Sequence, residues 1–349
     1  MSQPSQAPKT IGVVSNPMSG KDIRRLAARA STTTREIKRD QITRAVIGAA
    51  AAGAERVLVF EDPYLISDSA VEHLGVAMEV EVLHAEVRGE ERDTVLATER
   101  LREAGCAALL VLGGDGTNRI VAKTWPDAVL MPLSTGTNNV FPSVAEATAA
   151  GAALGLVASG RLPLEDAARR SKVVHLSIEG EEPDLALIDA VLLVDDFVGN
   201  RLHLDPSRMR HIVLSRAEPT AVGPSSIGGL VRPTSPDEDL GVEVELSGPG
   251  GGGRPLLAPV SAGLYGQAFV SNARRLELGE AVELSGPGIL ALDGDRARKL
   301  ADGQDAHAHV ARDGPWVIDI DVALRRAADR ALFFDREAWH DSLNGFWTR

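Results

Sequence analysis

The apolar run Leu109-Leu110-Val111-Leu112 passes without a break into Gly113-Gly114-Asp115-Gly116-Thr117. Branched apolar residues closed off by glycine read as a strand buried on both faces, which belongs in a sheet with helices on either side. Gly113, Gly114 and Gly116 allow backbone N–H groups to approach an anion closely. A carboxylate in the middle of such a turn opposes a phosphate by charge. The conflict disappears if the backbone holds the phosphate while Asp115 handles a proton or a magnesium ion. A plain strand-to-helix turn capped by Asp115 is the simpler alternative. The complete turn, directly after a buried strand, favours phosphate chemistry.

The flanking segments repeat this design. Ile11–Ser15 reads as a short buried strand followed by Asn16-Pro17-Met18-Ser19-Gly20-Lys21-Asp22. Asn16 and Ser19 offer hydrogen bonds, Gly20 relaxes the backbone and Lys21 supplies positive charge, although the glycine spacing is not that of a Walker loop. Helices are expected at Arg35–Ala52, Asp68–Leu74 and Thr94–Ala104, with strands at Arg56–Phe60 and Val76–Leu83. This alternation predicts a largely parallel sheet, in which ligands gather beyond the carboxyl ends of the strands. A short helix, Asn118–Lys123, would add its dipole to the glycine turn. The strand Ala128–Met131 then leads into a third polar turn, with Thr135, Gly136, Thr137, Asn138 and Asn139. Its hydroxyls and amides suit phosphate or ribose, and equally suit a plain Asx or Ser/Thr turn. Ser143 and Glu146 have capping-box spacing for a helix running towards Ser159.

From Val173 the apolar period changes to two, and strands follow at Ala186–Val194, Ile212–Ser215, Val242–Leu246, Gly266–Val270, Ala281–Leu284 and Gly288–Leu292. Consecutive strands predict an antiparallel, sandwich-like region. The expected division is a Rossmann-like α/β domain over 1–160, a β-rich domain over 161–316, and a strand and helix over 317–349 that return to the first domain. Gly223-Pro224-Ser225-Ser226-Ile227-Gly228-Gly229 reads as a connector or a ligand-facing loop. Asp195-Asp196 reads as a strand end or a metal pair, and Asp293-Gly294-Asp295-Arg296 as a hairpin turn. His307 and His309 share a strand face, which is more simply a solvated face than a zinc site. The aromatic tail from Phe333 is expected to dock on the first domain or on a partner subunit.

Composition narrows the function. The chain has 349 residues, enough for one large or two ordinary domains, and a net charge of −12 that disfavours non-specific nucleic-acid binding. No stretch approaches the roughly 20 apolar residues of a membrane span. Met1–Thr10 lacks an apolar signal core, so a cytoplasmic location is expected. Cys106, the sole cysteine, excludes an internal disulfide and a multi-cysteine zinc site, and reads as a small buried hydrophobe.

Three motifs resemble the superfamily of NAD kinases and diacylglycerol or sphingosine kinases: Gly113-Gly114-Asp115-Gly116-Thr117, Asn16-Pro17-Met18-Ser19-Gly20 and Gly136-Thr137-Asn138-Asn139. With Asn118-Arg119, Val140-Phe141-Pro142 and Ala291-Leu292-Asp293-Gly294-Asp295-Arg296, the chain is similar in particular to the long NAD-kinase-like proteins that include the acetoin-catabolism X protein. The resemblance implies an ATP-dependent, magnesium-assisted kinase with Asp115 as catalytic carboxylate. It implies nucleotide and phosphate contacts from the three turns and from Asp293-Gly294. It further implies NAD or a related molecule as acceptor, NADP formation, and a homo-oligomer. A lipid or a small hydroxylated, acetoin-related metabolite is the alternative acceptor, polyphosphate the alternative donor, and a non-catalytic nucleotide-binding regulator the alternative class. The chain departs from the relatives in acceptor recognition. It contains no Asn-Glu dipeptide, has Arg119-Ile120 where lipid kinases carry one, and has Val140 where they carry Asp.

Overall fold

The computed structural model describes residues 9–19, 33–76, 78–135, 139–200 and 205–334, and of Ala297 the backbone alone. Five parallel strands form the first sheet: β1 (Thr10–Ser15), β2 (Arg56–Phe60), β3 (Glu79–Leu83), β4 (Ala108–Gly113) and β5 (Val129–Ser134). Their spatial order is β3-β2-β1-β4-β5. Chain progression therefore reverses between β1 and β4, and a crevice at such a switch point is where doubly wound sheets bind ligands. Trp316–Ile318 adds in parallel to β5, and Ala168–Arg170 pairs antiparallel with it. The late strand thus returns to the first sheet.

Helices α1 (Arg35–Ala51), α2 (Ile66–Val71), α3 (Glu91–Glu103), α4 (Asp115–Thr124) and α5 (Ala147–Ala158) cover this sheet. One apolar cluster joins Ile11, Val13, Leu110, Leu112 and Met131 to α1 and α5, and a second joins Leu58, Leu109, Val111 and Leu130 to α3 and α4. That two-sided burial is what the run Leu109–Leu112 demanded. Cys106 is buried in the second cluster, and burial pushes its thiol up to about 12. Helices α1 and α5 meet through glycine: a Cβ on Gly151 would lie 1.9 Å from the Ala45 carbonyl oxygen, and one on Gly155 2.4 Å from that of Ala49.

Beyond the first sheet lie two antiparallel sheets of seven and four strands. The larger runs in order through Arg254–Ser261, Leu264–Glu277, Leu240–Leu246, Met209–Leu214, Asp189–Leu193, Gly288–Leu292 and Asp295–Leu300. The smaller holds Val282–Ser285, Asp305–Ala311, Val173–Ile178 and Asp184–Ala186. Val174, Leu176 and Val310 of the smaller sheet pack on Val213, Leu290 and Leu292 of the larger. The molecule is an α/β domain with a mostly parallel sheet joined to an antiparallel β-rich region.

Several boundaries differ from the sequence pattern. Ser143 pairs with Leu133 instead of capping α5, and Glu146 itself is the cap, accepting from the Thr148 and Ala149 N–H groups at 2.7 and 3.1 Å. Helix α4 starts at Asp115, three residues before the expected Asn118, because Gly114 provides the extended cap geometry. Strand Arg254–Ser261 is interrupted by Pro255 and Pro259, and Asp295–Leu300 is mostly polar, so neither shows a period-two pattern. The segment Gly223–Gly229, read as a connector or a ligand-facing loop, enters a helix over Pro224–Val231 whose Ser226 hydroxyl donates to the Gly223 and Pro259 carbonyls. The aromatic tail beyond residue 334 lies outside the described residues.

Replacing Gly151 with leucine forces α1 and α5 apart. The expected loss is ~3 kcal/mol or more, read as a lower urea midpoint with the parallel sheet's circular dichroism retained at zero denaturant.

Candidate active site

Strands β1 and β4 end side by side: the Asn16 N–H donates to the Leu112 carbonyl at 3.0 Å. The first two polar turns therefore share one edge, and β5 brings the third. The Asn16 side chain ties the first two together, donating through Nδ2 to Thr117 Oγ1 at 2.9 Å. Its Oδ1 meanwhile accepts from the Met18 and Ser19 N–H groups. Ser19 Oγ lies 2.6 Å from Thr135 Oγ1, and Asn139 Nδ2 donates to Ser134 Oγ at 3.0 Å. Gly113 is required because a Cβ there would stand 2.5 Å from Thr117, and Gly114 because one would meet Asn139 Oδ1 at 2.8 Å; a Cβ on Gly116 would meet nothing within 4 Å. Gly116 is thus the glycine of this turn whose bare backbone faces open space. Gly20, Lys21, Gly136, Thr137 and Asn138 lie outside the described residues.

Sequence reasoning missed Lys38. It sits fully buried in α1 and its Nζ donates to the carbonyls of Asn16, Pro17 and Ser19 at 2.8, 2.9 and 2.6 Å. A lysine within an otherwise apolar helix face was the available signal, but only the fold reveals what it holds.

Asp115 occupies the first turn of α4. The Phe141 N–H donates to its Oδ1 at 2.8 Å, and the Val140 N–H is 3.1 Å from both oxygens. Asp293 comes from the distant hairpin and has left-handed backbone, φ 48°. Its carboxylate accepts from the Leu187, Ile188 and Asp189 N–H groups at 2.7, 2.8 and 3.1 Å. The fold brings these two carboxyls together. Burial first, and the Asp293 charge second, push Asp115 up to about 6, with the N–H donors of residues 140 and 141 opposing the rise. Burial likewise raises Asp293, against its three N–H donors and the positive charge of Arg119.

Arg119 anchors α4 to the β-rich region. Its Nε donates to the Leu185 carbonyl at 2.7 Å, and its Nη2 lies 3.1 Å from Asp184. Lys123 and Arg298 also reach Asp184, at 3.1 and 3.4 Å. Burial alone would raise Asp184, but Arg119, the Leu185 N–H and Lys123 hold it below the usual carboxylate range. Arg216 lies over the Phe141 ring, 5.4 Å from its centroid.

The other acidic and imidazole pairs are structural. Asp196 accepts from Arg296 Nε at 2.8 Å and from Asn200 Nδ2 at 2.6 Å, closing a turn. The His309 ring stacks on His175 at 5.0 Å, and His175 Nε2 lies 2.9 Å from Asp313. Among the described residues no group of three or more His, Cys, Asp or Glu side chains could hold a metal ion by itself. No helix of those residues is long and apolar enough to cross a membrane.

The N-terminal domain of ATP-NAD kinases matches residues 11–162, and the C-terminal domain of acetoin catabolism protein X matches residues 172–313. The crystal structure of yeast NADH kinase complexed with NADH superposes with a TM-score of 0.52 at 13% identity, covering 95% of this chain and 89% of that one. The fold is therefore kinase-like, of the NAD kinase type. Acetoin catabolism protein X of Cupriavidus necator is 34% identical over 346 residues, spanning 94% of this chain and 95% of the relative. The chain belongs to the acetoin catabolism protein X family.

Lys38→Met leaves three turn carbonyls without their donor. At roughly 1–3 kcal/mol for each buried group left unpaired, stability should fall by ~3 kcal/mol, measured by urea denaturation, with a loosened Asn16–Ser19 turn visible as faster amide exchange.

Proposed function

We propose that the protein is an ATP-dependent kinase that transfers a phosphoryl group to a hydroxyl of NAD or a related acceptor. The observation that carries this reading is the placement of Asp115: it stands at the N-terminus of α4, at the switch point of the parallel sheet, buried within the field of a second carboxylate, Asp293. Backbone N–H groups of the glycine turn and the α4 dipole attract phosphate oxygens. Thr117, Asn16, Ser19 and Thr135 shape the cradle around them, and Asn139 backs Gly114.

Asp115 orients the acceptor hydroxyl and receives its proton as the oxygen attacks the terminal phosphorus; the bond from that phosphorus to the ADP oxygen breaks, and ADP leaves. Phosphoryl transfer of this kind is catalysed mainly by positioning and charge stabilisation. A magnesium ion fits the donor set. Asp115 and Asp293 offer hard carboxylate oxygens whose charge Arg216 and Arg119 offset through the field, and magnesium commonly takes one or two carboxylates with substrate phosphates and waters completing the shell. When bound, it would neutralise charge developing on the transferred group.

The family's name raises a second acceptor class, a small hydroxylated metabolite related to acetoin, and the lack of any Asn-Glu dipeptide in the sequence favours an acceptor other than NAD. ADP formation measured across NAD, NADH, diacylglycerol and small hydroxylated metabolites decides between them. Nucleotide binding without ADP formation on any acceptor would instead establish a non-catalytic regulator.

Asp115→Asn should fold normally and lose transfer by at least ~100-fold; full activity would overturn the assignment. Because the raised group is ionised only above its shifted value, kcat/KM should fall as pH drops through about 6, well above an ordinary aspartate. A flat pH profile between 5 and 7 would remove Asp115 as proton acceptor.

A further inference from the structure

Arg216 is tied at its root to the support of Asp293 and at its head to that of Asp115. Ser215, the residue before it, donates through its N–H and its hydroxyl to the carbonyls of Ile188 and Leu187. Those two residues turn their own N–H groups to Asp293. The Arg216 guanidinium lies 5.4 Å from the centroid of the Phe141 ring, and the Phe141 N–H donates to Asp115. One side chain thus bridges the supports of both acids.

Its charge is only partly answered by direct contacts. The side chain is 14% exposed, so water screens it little; its Nη1 lies 3.5 Å from Glu218, and its Nη2 is buried with no hydrogen-bond partner. Burial pulls the guanidinium below its usual value, and Glu218, Asp115 and Asp293 oppose the fall. Arg119, the other cation that acts on Asp293, is shared with Asp184 and Asp295 at 3.1 and 3.4 Å. Arginine keeps its charge at any ordinary pH, so Arg216 is a fixed positive charge in the field of the two acids. Two buried carboxylates without such a cation retain a proton or capture a metal ion.

We propose that Arg216 is the resident counter-cation of the Asp115 and Asp293 carboxyls, and that it keeps a divalent ion out of the nucleotide-free site until nucleotide phosphates arrive. The nucleotide, and the two acids as ligands of the ion, come from the kinase reading, on which this role rests. Without nucleotide, an incoming ion meets carboxylates already offset by Arg216 and Arg119 and is repelled by both guanidiniums. The phosphates of a nucleotide add several negative charges, and the balance then favours the ion. Metal and nucleotide therefore enter together, and a free cation does not capture the buried acids. Arg216 acts through the field, as a positioning residue. Glu218 opposes it from 3.5 Å and sets how much of its charge reaches the pair.

Manganese(II) is the probe, its free concentration read by electron paramagnetic resonance in the full chain with and without saturating AMP-PNP. The wild-type protein should bind it weakly alone and ~tenfold or more tightly with AMP-PNP. Arg216→Met should raise the nucleotide-free affinity ~tenfold or more, whereas Arg216→Lys, which keeps the charge, should stay near the wild-type value. Glu218→Gln should lower it, because Arg216 then acts unopposed. Loosened packing does not produce opposite signs from two neighbouring substitutions. Asp115→Asn added to Arg216→Met should abolish the gain. Tight binding by the nucleotide-free wild type, no gain in Arg216→Met, or a gain that survives Asp115→Asn would each overturn the proposal. So would an unchanged or raised affinity in Glu218→Gln, a readout that stands even where Arg216→Met does not fold. Manganese that binds none of these proteins, with AMP-PNP bound, would remove the two acids as metal ligands and the counter-cation role with them. Failure of AMP-PNP to bind, with the opposite shifts still present, would remove the kinase reading and leave Arg216 as counter-cation of the pair.

Discussion

Backbone N–H groups hold the two carboxylates on which the candidate site depends: those of Val140 and Phe141 donate to Asp115, and those of Leu187, Ile188 and Asp189 to Asp293. Such donors orient a carboxylate without neutralising it. Arg119 and Arg216 act on the pair through the field, their own direct partners lying elsewhere. Burial raises Asp115 into the range where a proton acceptor is useful near neutral pH.

Much of the surrounding structure serves to bring those N–H groups to their places. Ser143 lies back along β5, with Ser134 N–H donating to Ser143 and Ser143 N–H to Pro132, and the N–H groups of Val140 and Phe141 reach Asp115 of α4. Lys38 fixes the carbonyls of the first turn, and Asn16 joins that turn to the second. Across the seam, Asp184 gathers Arg119, Lys123 and Arg298. Isolated surface ion pairs are worth little, but Arg119 and Asp184 are both nearly excluded from water, where breaking one partner is expensive. The network therefore sets the register between α4 and the β-rich region, and with it the distance from Asp115 to Asp293.

The interior of the first domain was legible because its signals are local. A run such as Leu109–Leu112 is buried whatever its neighbours, and glycine at 113 and 114 answers to contacts with Thr117 and Asn139 close to the turn. Strand Arg254–Ser261 hid because Pro255 and Pro259 read as breakers, and only its place at the edge of the larger sheet, paired with Leu264–Glu277, accommodates them. The spacing of Ser143 and Glu146 misled for a similar reason: Ser143 found a long-range partner in Leu133, which a capping rule does not anticipate.

From residue order alone came the alternating α/β domain, the β-rich second half, the three polar turns at one edge and Asp115 as the residue to watch. Each of these rests on periodicity, glycine or side-chain chemistry within a few residues. Tertiary structure alone decided that Asp293 stands beside Asp115, that Lys38 is the post behind the first turn, and that Arg216 reaches from the support of Asp293 to the Phe141 ring. The physical reason is separation: a buried charge is defined by the groups that surround it, and these come from other segments, 19 residues away for Lys38 and Ser19 and 106 for Asp293 and Leu187.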